Sequence, residues 1–357
     1  MDKISYPLMG DYSVPTKYLL THILNIEVIT PPPITSKTIA LGSKYSPDII
    51  CTPFKYTLGT MLESIEKGAN ILIQLGGGCR YGYYAYLQEQ ILKDLNKDVK
   101  IINLVTKGKL DAIKIYKELK KISKINIFKT LYHSFITIKM VKYMDQIDAY
   151  IRENIGFEQK KGSFELLKYK MLKDFSTTTS YKDLKRKYKY YNNKIKSVQV
   201  RKPENRLKVG IIGELYTVME PYANYDLEKS LANHNIEIKR FTNAHYLLIE
   251  KKREVKHYLK YTKEYIKYKM GADAADNICR TKYLCEQGYD GIIHIKSSFC
   301  TPEIGAMPII SKIADQYNVP VLFLTLDIHN GEEGIKTRLE AFYDMLEMRK
   351  TKWKIHI

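Results

Sequence analysis

Short apolar, β-rich runs alternate with longer periodic stretches at both ends of this chain, and that alternation constrains the fold more than any other feature of the sequence. From the N-terminus come KISYPLMG, PTKYLLTHIL, IEVIT, ANILIQLGGG, YGYYAYLQEQILKDL and VKIINLV. Strand-like runs that end in Gly or Pro and hand over to an amphipathic segment describe βαβ units and a parallel sheet. The C-terminal part repeats the pattern with LKVGIIGE, YDLEKSLANHN, IEIKRF, a long helical region, DGIIHI, PEIGAMPIISKIADQYN, PVLFLTL and a closing helix predicted over about 332–349. Residues 107–206 show helical periodicity with few strand signals. The expectation is an α/β protein of two Rossmann-like parallel-sheet domains, 1–106 and 207–357, joined by a basic helical insert at 107–206. The sharper boundary is RKPENR at 201–206, where Pro203 ends a helix and a fresh strand begins.

The 357 residues are 45% hydrophobic and 27% charged, a globular mixture that excludes disorder as the default. Net charge is +19, and residues 107–206 hold 26 Lys and Arg against 10 Asp and Glu, a surplus of 16. A run such as YKDLKRKYKYYNNKIK (181–196) offers phosphate neutralisation with Tyr stacking, or a grip on an acidic protein or an anionic cofactor. No nucleic-acid motif accompanies it, so a solvated helical face is expected and nucleic acid is not an expected partner. No stretch of about 18 apolar residues is present, and MDKISYPLMG lacks a basic start and a long apolar centre. Neither a membrane span nor a secretory signal is therefore expected, and the expected location is the cytoplasm.

Five cysteines (Cys51, Cys79, Cys279, Cys285, Cys300), without export signals, favour thiols, metal ligands or redox chemistry over a disulfide framework. Cys79 follows ANILIQL through Gly76, Gly77 and Gly78, whose missing side chains let backbone amides approach a bulky group. Cys300 follows DGIIHI, and Cys51 follows the apolar PDII. All three are expected just beyond strand ends, the edge at which α/β sheets bind ligands. Cys-Thr-Pro occurs at both 51–53 and 300–302. Thr52 or Thr301 is expected to cap a helix, with Pro53 or Pro302 at its first position, so that free amides and the helix dipole favour a thiolate. Cys279 and Cys285 fall six apart inside a helix-like segment, which suits buried structural thiols. These residues leave three outcomes open. One is a zinc site completed by His294, His329 or Cys279. The others are a cysteine nucleophile that still needs a base and an iron-sulfur cluster with one iron left open.

YPLMGDYSVPTKYLL, PPPITSKTIALGSKYSPDIICTPFKYTLGTMLESIEKGAN, GGGCRYGYYAYLQEQIL, KVGIIGELYTVMEPYAN and HIKSSFCTPEIGAMPIISKIADQYNVPVLFLTLDIHNGEEGIKTRLEAF together resemble the acyl-CoA dehydratase activase-related family. That family is similar to the subunits of 2-hydroxyacyl-CoA dehydratases. The resemblance covers both terminal thirds and is weak in the middle, and one residue fewer separates the glycines from Cys79 than in the usual GGPCR-like form. It implies one four-iron, four-sulfur cluster per chain at an interdomain cleft, with Cys51, Cys79 and Cys300 as its metal ligands. It also implies a separate ATP-hydrolysing activase that reduces the cluster, a small substrate of the acyl-CoA type at the open iron, and a homodimer. No G-x-x-x-x-G-K-[ST] stretch occurs, in keeping with an ATPase on another chain. Gly76, Gly77, Gly78 and Arg80 then become cofactor-side residues, with Arg80 balancing cluster charge. Glu303 becomes either a proton donor or a partner of the helix dipole. Gly210 and Gly213 in VGIIGE suit tight packing better than a phosphate, and Asp327, His329 and Glu332 stand at another strand end. Two rival readings remain: a zinc-stabilised protein whose basic insert grips an acidic partner, and a cluster-bearing electron carrier or sensor without catalysis.

Overall fold

Strands as continuously apolar as ILIQ and VLFLTL need cover on both faces, and each of the two sheets receives it. The computed structural model describes residues 2–76, 79–106, 109–110, 112–268, 270–328 and 331–355. In chain order the first elements are β1 (Lys3–Ser5), α1 (Ser13–Ile23), β2 (Glu27–Val28), α2 (Ser36–Tyr45), α3 (Thr52–Glu66), β3 (Ile71–Gln74), α4 (Tyr84–Asp94) and β4 (Lys100–Asn103). The four strands form a parallel sheet in the order β2-β1-β3-β4. Side chains alternate across it with the period of a strand. Ile71 and Ile73 join Ile4, Leu20 and Ile102 on one face, while Leu72 joins Phe54, Leu58 and Tyr84 on the other. A small antiparallel hairpin, β5 (Val105–Thr106) with β6 (Lys109–Leu110), follows the sheet.

Four helices come next: α5 (Ala112–Ile122), α6 (Ile127–Asn154), α7 (Ser163–Ser176) and α8 (Tyr181–Lys196). The second sheet is built from β7 (Lys208–Gly213), β8 (Glu237–Arg240), β9 (Gly291–Ser297) and β10 (Val321–Leu326). Its helices are α9 (Leu215–Met219), α10 (Leu227–Asn233), α11 (Lys251–Tyr261), α12 (Ala274–Glu286), α13 (Thr301–Gln316) and α14 (Glu332–Ile355). The order is β10-β9-β7-β8, again all parallel. Val209, Ile211, Ile293 and Ile295 pack with α10 and α14 on one face, and Ile212 and Ile292 pack with α12 and α13 on the other.

The chain thus divides into two units, Met1–Val141 with Leu172–Arg186, and Lys142–Met171 with Lys187–Ile357. It passes from one to the other inside α6, α7 and α8. Counted within its own unit, each sheet runs 2-1-3-4, so the connections reverse direction between the first and third strands. The carboxyl ends of the strands flanking such a reversal are the position at which open parallel sheets bind ligands.

Two sequence expectations change. The strand expected at PDII does not form: Ser46 to Cys51 is irregular chain between α2 and α3. Its apolar part is only two residues long, and Pro47-Asp48 carries turn chemistry that ends α2 at Tyr45. The closing helix continues to Ile355, past the expected 349. No helix among the described residues is long and apolar enough to cross a membrane.

Candidate functional site

In the first unit, Cys51 is placed by the crossing of α2 and α3. Each cysteine of the Cys-Thr-Pro pair, rather than the threonine after it, is the half-in residue of its helix, with φ −64° and ψ 142° at Cys51 and φ −78° and ψ 92° at Cys300. Threonine and proline therefore lie inside the first turn, where proline's missing N–H costs nothing. The cysteine carbonyls accept the first helical bonds, from Phe54 N at 2.9 Å and from Ile304 N at 3.0 Å. This corrects the expectation of a threonine cap and brings each sulfur one residue closer to the unsatisfied amides.

The Tyr84 hydroxyl hydrogen-bonds with Cys51 Sγ. Cys79 precedes a short 3-10 turn, Arg80–Tyr83, and its Sγ accepts from Tyr81 N at 3.5 Å. Tyr81 and Tyr84 rings lie 4.4 Å apart, and Phe54 meets Tyr84 edge-on at 4.9 Å. The Tyr84 ring that carries the Cys51 partner thus packs on the ring of Tyr81, whose backbone N–H meets Cys79. Cys79 follows the third strand of its sheet. Gly76 is half-buried and Arg80 is exposed, while Gly77 and Gly78 lie outside the described residues.

In the second unit, Cys300 follows the third strand likewise, and its backbone N–H donates to Ser297 O at 3.1 Å. Ser298 Oγ donates to Asp327 Oδ2 at 3.2 Å, linking the ends of β9 and β10. Beside them Lys296 is buried, its Nζ donating to Ser297 O at 3.3 Å and Ser298 O at 3.4 Å. Burial pushes the Lys296 ammonium down, opposed by Cys300 and Glu303. A lysine inside an otherwise apolar strand, HIKS, was the sequence signal for it.

Glu303 is fully buried rather than turned toward solvent. Alternation along β9 sends His294 to the face covered by α13, where its Nε2 lies 2.8 Å from Glu303 Oε2. Asn277 Nδ2, from α12, donates to the same oxygen at 2.9 Å and to Gly213 O at 3.0 Å. The carboxylate therefore ties the first turn of α13 to β9 and α12. Asn277 and Lys296 were not singled out in the sequence; His294 was considered only as a zinc ligand, and its Nε2 now has another partner. His329 lies outside the described residues.

None of the five cysteines forms a disulfide. Burial pushes the thiols of Cys279 and Cys285 up to about 12, which keeps both neutral and fits their structural reading. Gly210 packs strand against helix, since an added Cβ would stand 2.3 Å from Leu284 Cδ1. Gly213, at φ +142°, brings β7 against β9 so closely that a Cβ would lie 1.8 Å from Ile295 O. Among the described residues no group of three or more His, Cys, Asp or Glu is gathered to hold a metal ion. A cluster differs from a single ion in that each thiolate binds a separate iron. Cys51 and Cys79 are half-buried and Cys300 is buried, and the Tyr84 hydroxyl at Cys51 and the Tyr81 N–H at Cys79 are the kind of donor such a group needs.

Glu214 closes β7 and opens α9. Its Oε1 accepts from Tyr216 N at 2.9 Å, and its Oε2 accepts from Thr217 N at 2.9 Å and Thr217 Oγ1 at 2.6 Å. Burial nevertheless pushes the carboxyl up from 4.5 to about 7, against those hydrogen bonds, with the neighbouring Asp273 adding to the rise. A carboxyl raised in the folded state binds its proton more tightly there than in the unfolded chain. Its contribution is therefore most favourable below pH 4.5 and is lost as pH rises to about 7. Glu214→Gln is expected to gain on the parent across that window by about 3 kcal/mol, read from urea midpoints at several pH values. A difference between the two proteins that stays flat from pH 4.5 to 8 would contradict it.

An α/β unit with a thiol at its topological switch point is the class of site that the geometry defines. Residues 241–346, which include Asn277, His294, Cys300 and Glu303, match the family model described as 2-hydroxyglutaryl-CoA dehydratase, D-component. The match supports a 2-hydroxyacyl-CoA dehydratase-like family and spans just under a third of the chain, with Cys51 and Cys79 outside it. No curated protein matches the chain.

Proposed function

We propose that this chain is a 2-hydroxyacyl-CoA dehydratase-like subunit in which Cys51, Cys79 and Cys300 ligate one four-iron, four-sulfur cluster. One iron stays open to a small substrate of the acyl-CoA type, and a separate ATP-hydrolysing activase provides the electron. The observation that supports this best is topological. Cys79 and Cys300 each follow the third strand of a 2-1-3-4 parallel sheet, and Cys51 and Cys300 each begin a helix. When bound, the cluster supplies low-potential electron transfer and a Lewis-acidic iron.

The chain's own residues do the rest. Amides at the starts of α3 and α13, and the Tyr81 N–H at Cys79, favour thiolates over thiols. Phe54, Tyr81 and Tyr84 exclude water beside Cys51. Lys296 and Arg80 offset negative charge near Cys300 and Cys79. Glu303 acts as a positioning residue, because its Oε2 accepts from Asn277 and meets His294 and so fixes the turn that carries Cys300. Its Oε1 has no hydrogen-bond partner among the described residues.

Anaerobic reconstitution followed by iron and acid-labile sulfide analysis tests the reading. About four of each per chain are expected. Cys51→Ser, Cys79→Ser and Cys300→Ser should each lose most of that content, while Cys279→Ser and Cys285→Ser retain it. A colourless protein without iron or sulfide after reconstitution, or a triple serine variant that still loads, overturns it.

A further inference from the structure

The N-terminal half of α6 carries an apolar row that the described residues leave largely exposed. Phe128 is 80% exposed, Leu131 60%, Phe135 43% and Ile138 39%. Their spacings are three, four and three residues, the rhythm with which one helix packs along another. The opposite face of the same helix is the one the fold uses, through His133, Ile136 and Met140, all buried, with His133 Nδ1 2.8 Å from the Tyr18 hydroxyl. Scattered surface hydrophobics are ordinary, whereas exposed apolar side chains in a row along one helix face are the pattern of an interaction site.

Charge decides the occupant. From residue 127 to 141, α6 carries Lys129 and Lys139 and no acid. Phe135 lies 5.0 Å from the ring of Tyr181, so the start of α8 borders the row with Lys182 and Lys185, Arg186 being paired with Asp183 at 2.8 Å. Lys139 Nζ sits 5.4 Å from the Phe135 ring centroid. A second copy docked through the same row would set this lysine-rich border against its own counterpart, which like-charge repulsion opposes. We infer that Phe128, Leu131, Phe135 and Ile138 dock an acidic amphipathic helix of a partner protein. Its apolar residues follow the same three-four rhythm, and Glu or Asp flank them. This is independent of cluster ligation.

The probe is a labelled synthetic peptide of four heptads with Leu at the two seam positions and Glu beside them, titrated against the full chain by fluorescence anisotropy. Saturable binding is expected, weakening about tenfold or more in Phe128→Ala/Leu131→Ala, since each side chain gives up buried apolar surface. It should also weaken about tenfold between low and high salt. Both substituted positions are exposed, so the variant's thermal melt should match the parent's. The inference is overturned by absence of peptide binding or by binding indifferent to the double variant. It is equally overturned by row-dependent sedimentation with phosphatidylserine vesicles in place of peptide binding, which assigns the row to a lipid surface. Self-association that the double variant abolishes would assign it to a second copy.

Discussion

Gly59→Ala is expected to cost the protein at least about 4 kcal/mol, a large part of a domain's usual stability. At the crossing of α2 and α3 the added Cβ would stand 1.9 Å from Thr38 O and 2.9 Å from Thr38 C, both backbone atoms that cannot swing aside. The contact is reciprocal, because a Cβ on Gly42 would stand 1.9 Å from Lys55 O. The helices must therefore separate, and α3 is buried along nearly its whole length, from Thr52 to Ser64. Cys51 opens that helix, so the candidate ligand moves with the damage. A thermal melt followed by circular dichroism should fall by about 10 °C or more. Gly331→Ala, with no atom of the described residues within 4 Å of its new methyl, serves as the comparison and should leave the melt unchanged. A Gly59→Ala melt within about 2 °C of the parent would show that the helices do not cross so closely.

Glu303→Ala is the second large effect. Alanine strips the carboxylate from two fully buried neighbours, His294 Nε2 at 2.8 Å and Asn277 Nδ2 at 2.9 Å, and leaves a space that neither fills. Orphaned buried polar groups are costly, so a loss of about 3 kcal/mol is expected in urea at unchanged m-value. Glu303→Gln keeps an acceptor oxygen at the same reach and should lose about half as much. Equal midpoints for the alanine variant and the parent would mean that the three side chains do not share a network.

Much of this architecture was legible in the linear chain, and the reason is physical. Parallel strands buried on both faces must be apolar throughout, so ILIQ, VGIIG, GIIHI and VLFLTL announced themselves, and with them the positions of Cys79 and Cys300 beyond strand ends. PDII misled because two isoleucines after Pro-Asp look like the end of a strand when nothing reveals how short the run is. The cap at each Cys-Thr-Pro was displaced by one residue because proline is tolerated at either of the first two helical positions. The Glu303 network was not legible. It joins residues 277, 294 and 303 through the facing of β9 and the descent of α12 and α13 onto it, and a buried Asn on a helix looks no different in sequence from an exposed one. The row on α6 was hidden for the opposite reason, since a helix apolar on two faces loses the one-sided pattern by which exposed and buried positions are told apart.

The division of the chain has a consequence for its synthesis. Leu172–Arg186 belongs to the first unit, so the ribosome must release chain past Arg186 before that unit has all its parts. By then Lys142–Met171, which belongs to the second, has been extruded ahead of every strand of its own sheet. An N-terminal domain usually closes as soon as its own residues emerge, and here that closure is put off until Arg186 is out. A nascent chain stalled before the codon for Leu172 would expose an incomplete first unit beside a helical fragment of the second, with apolar faces that neither sheet yet covers.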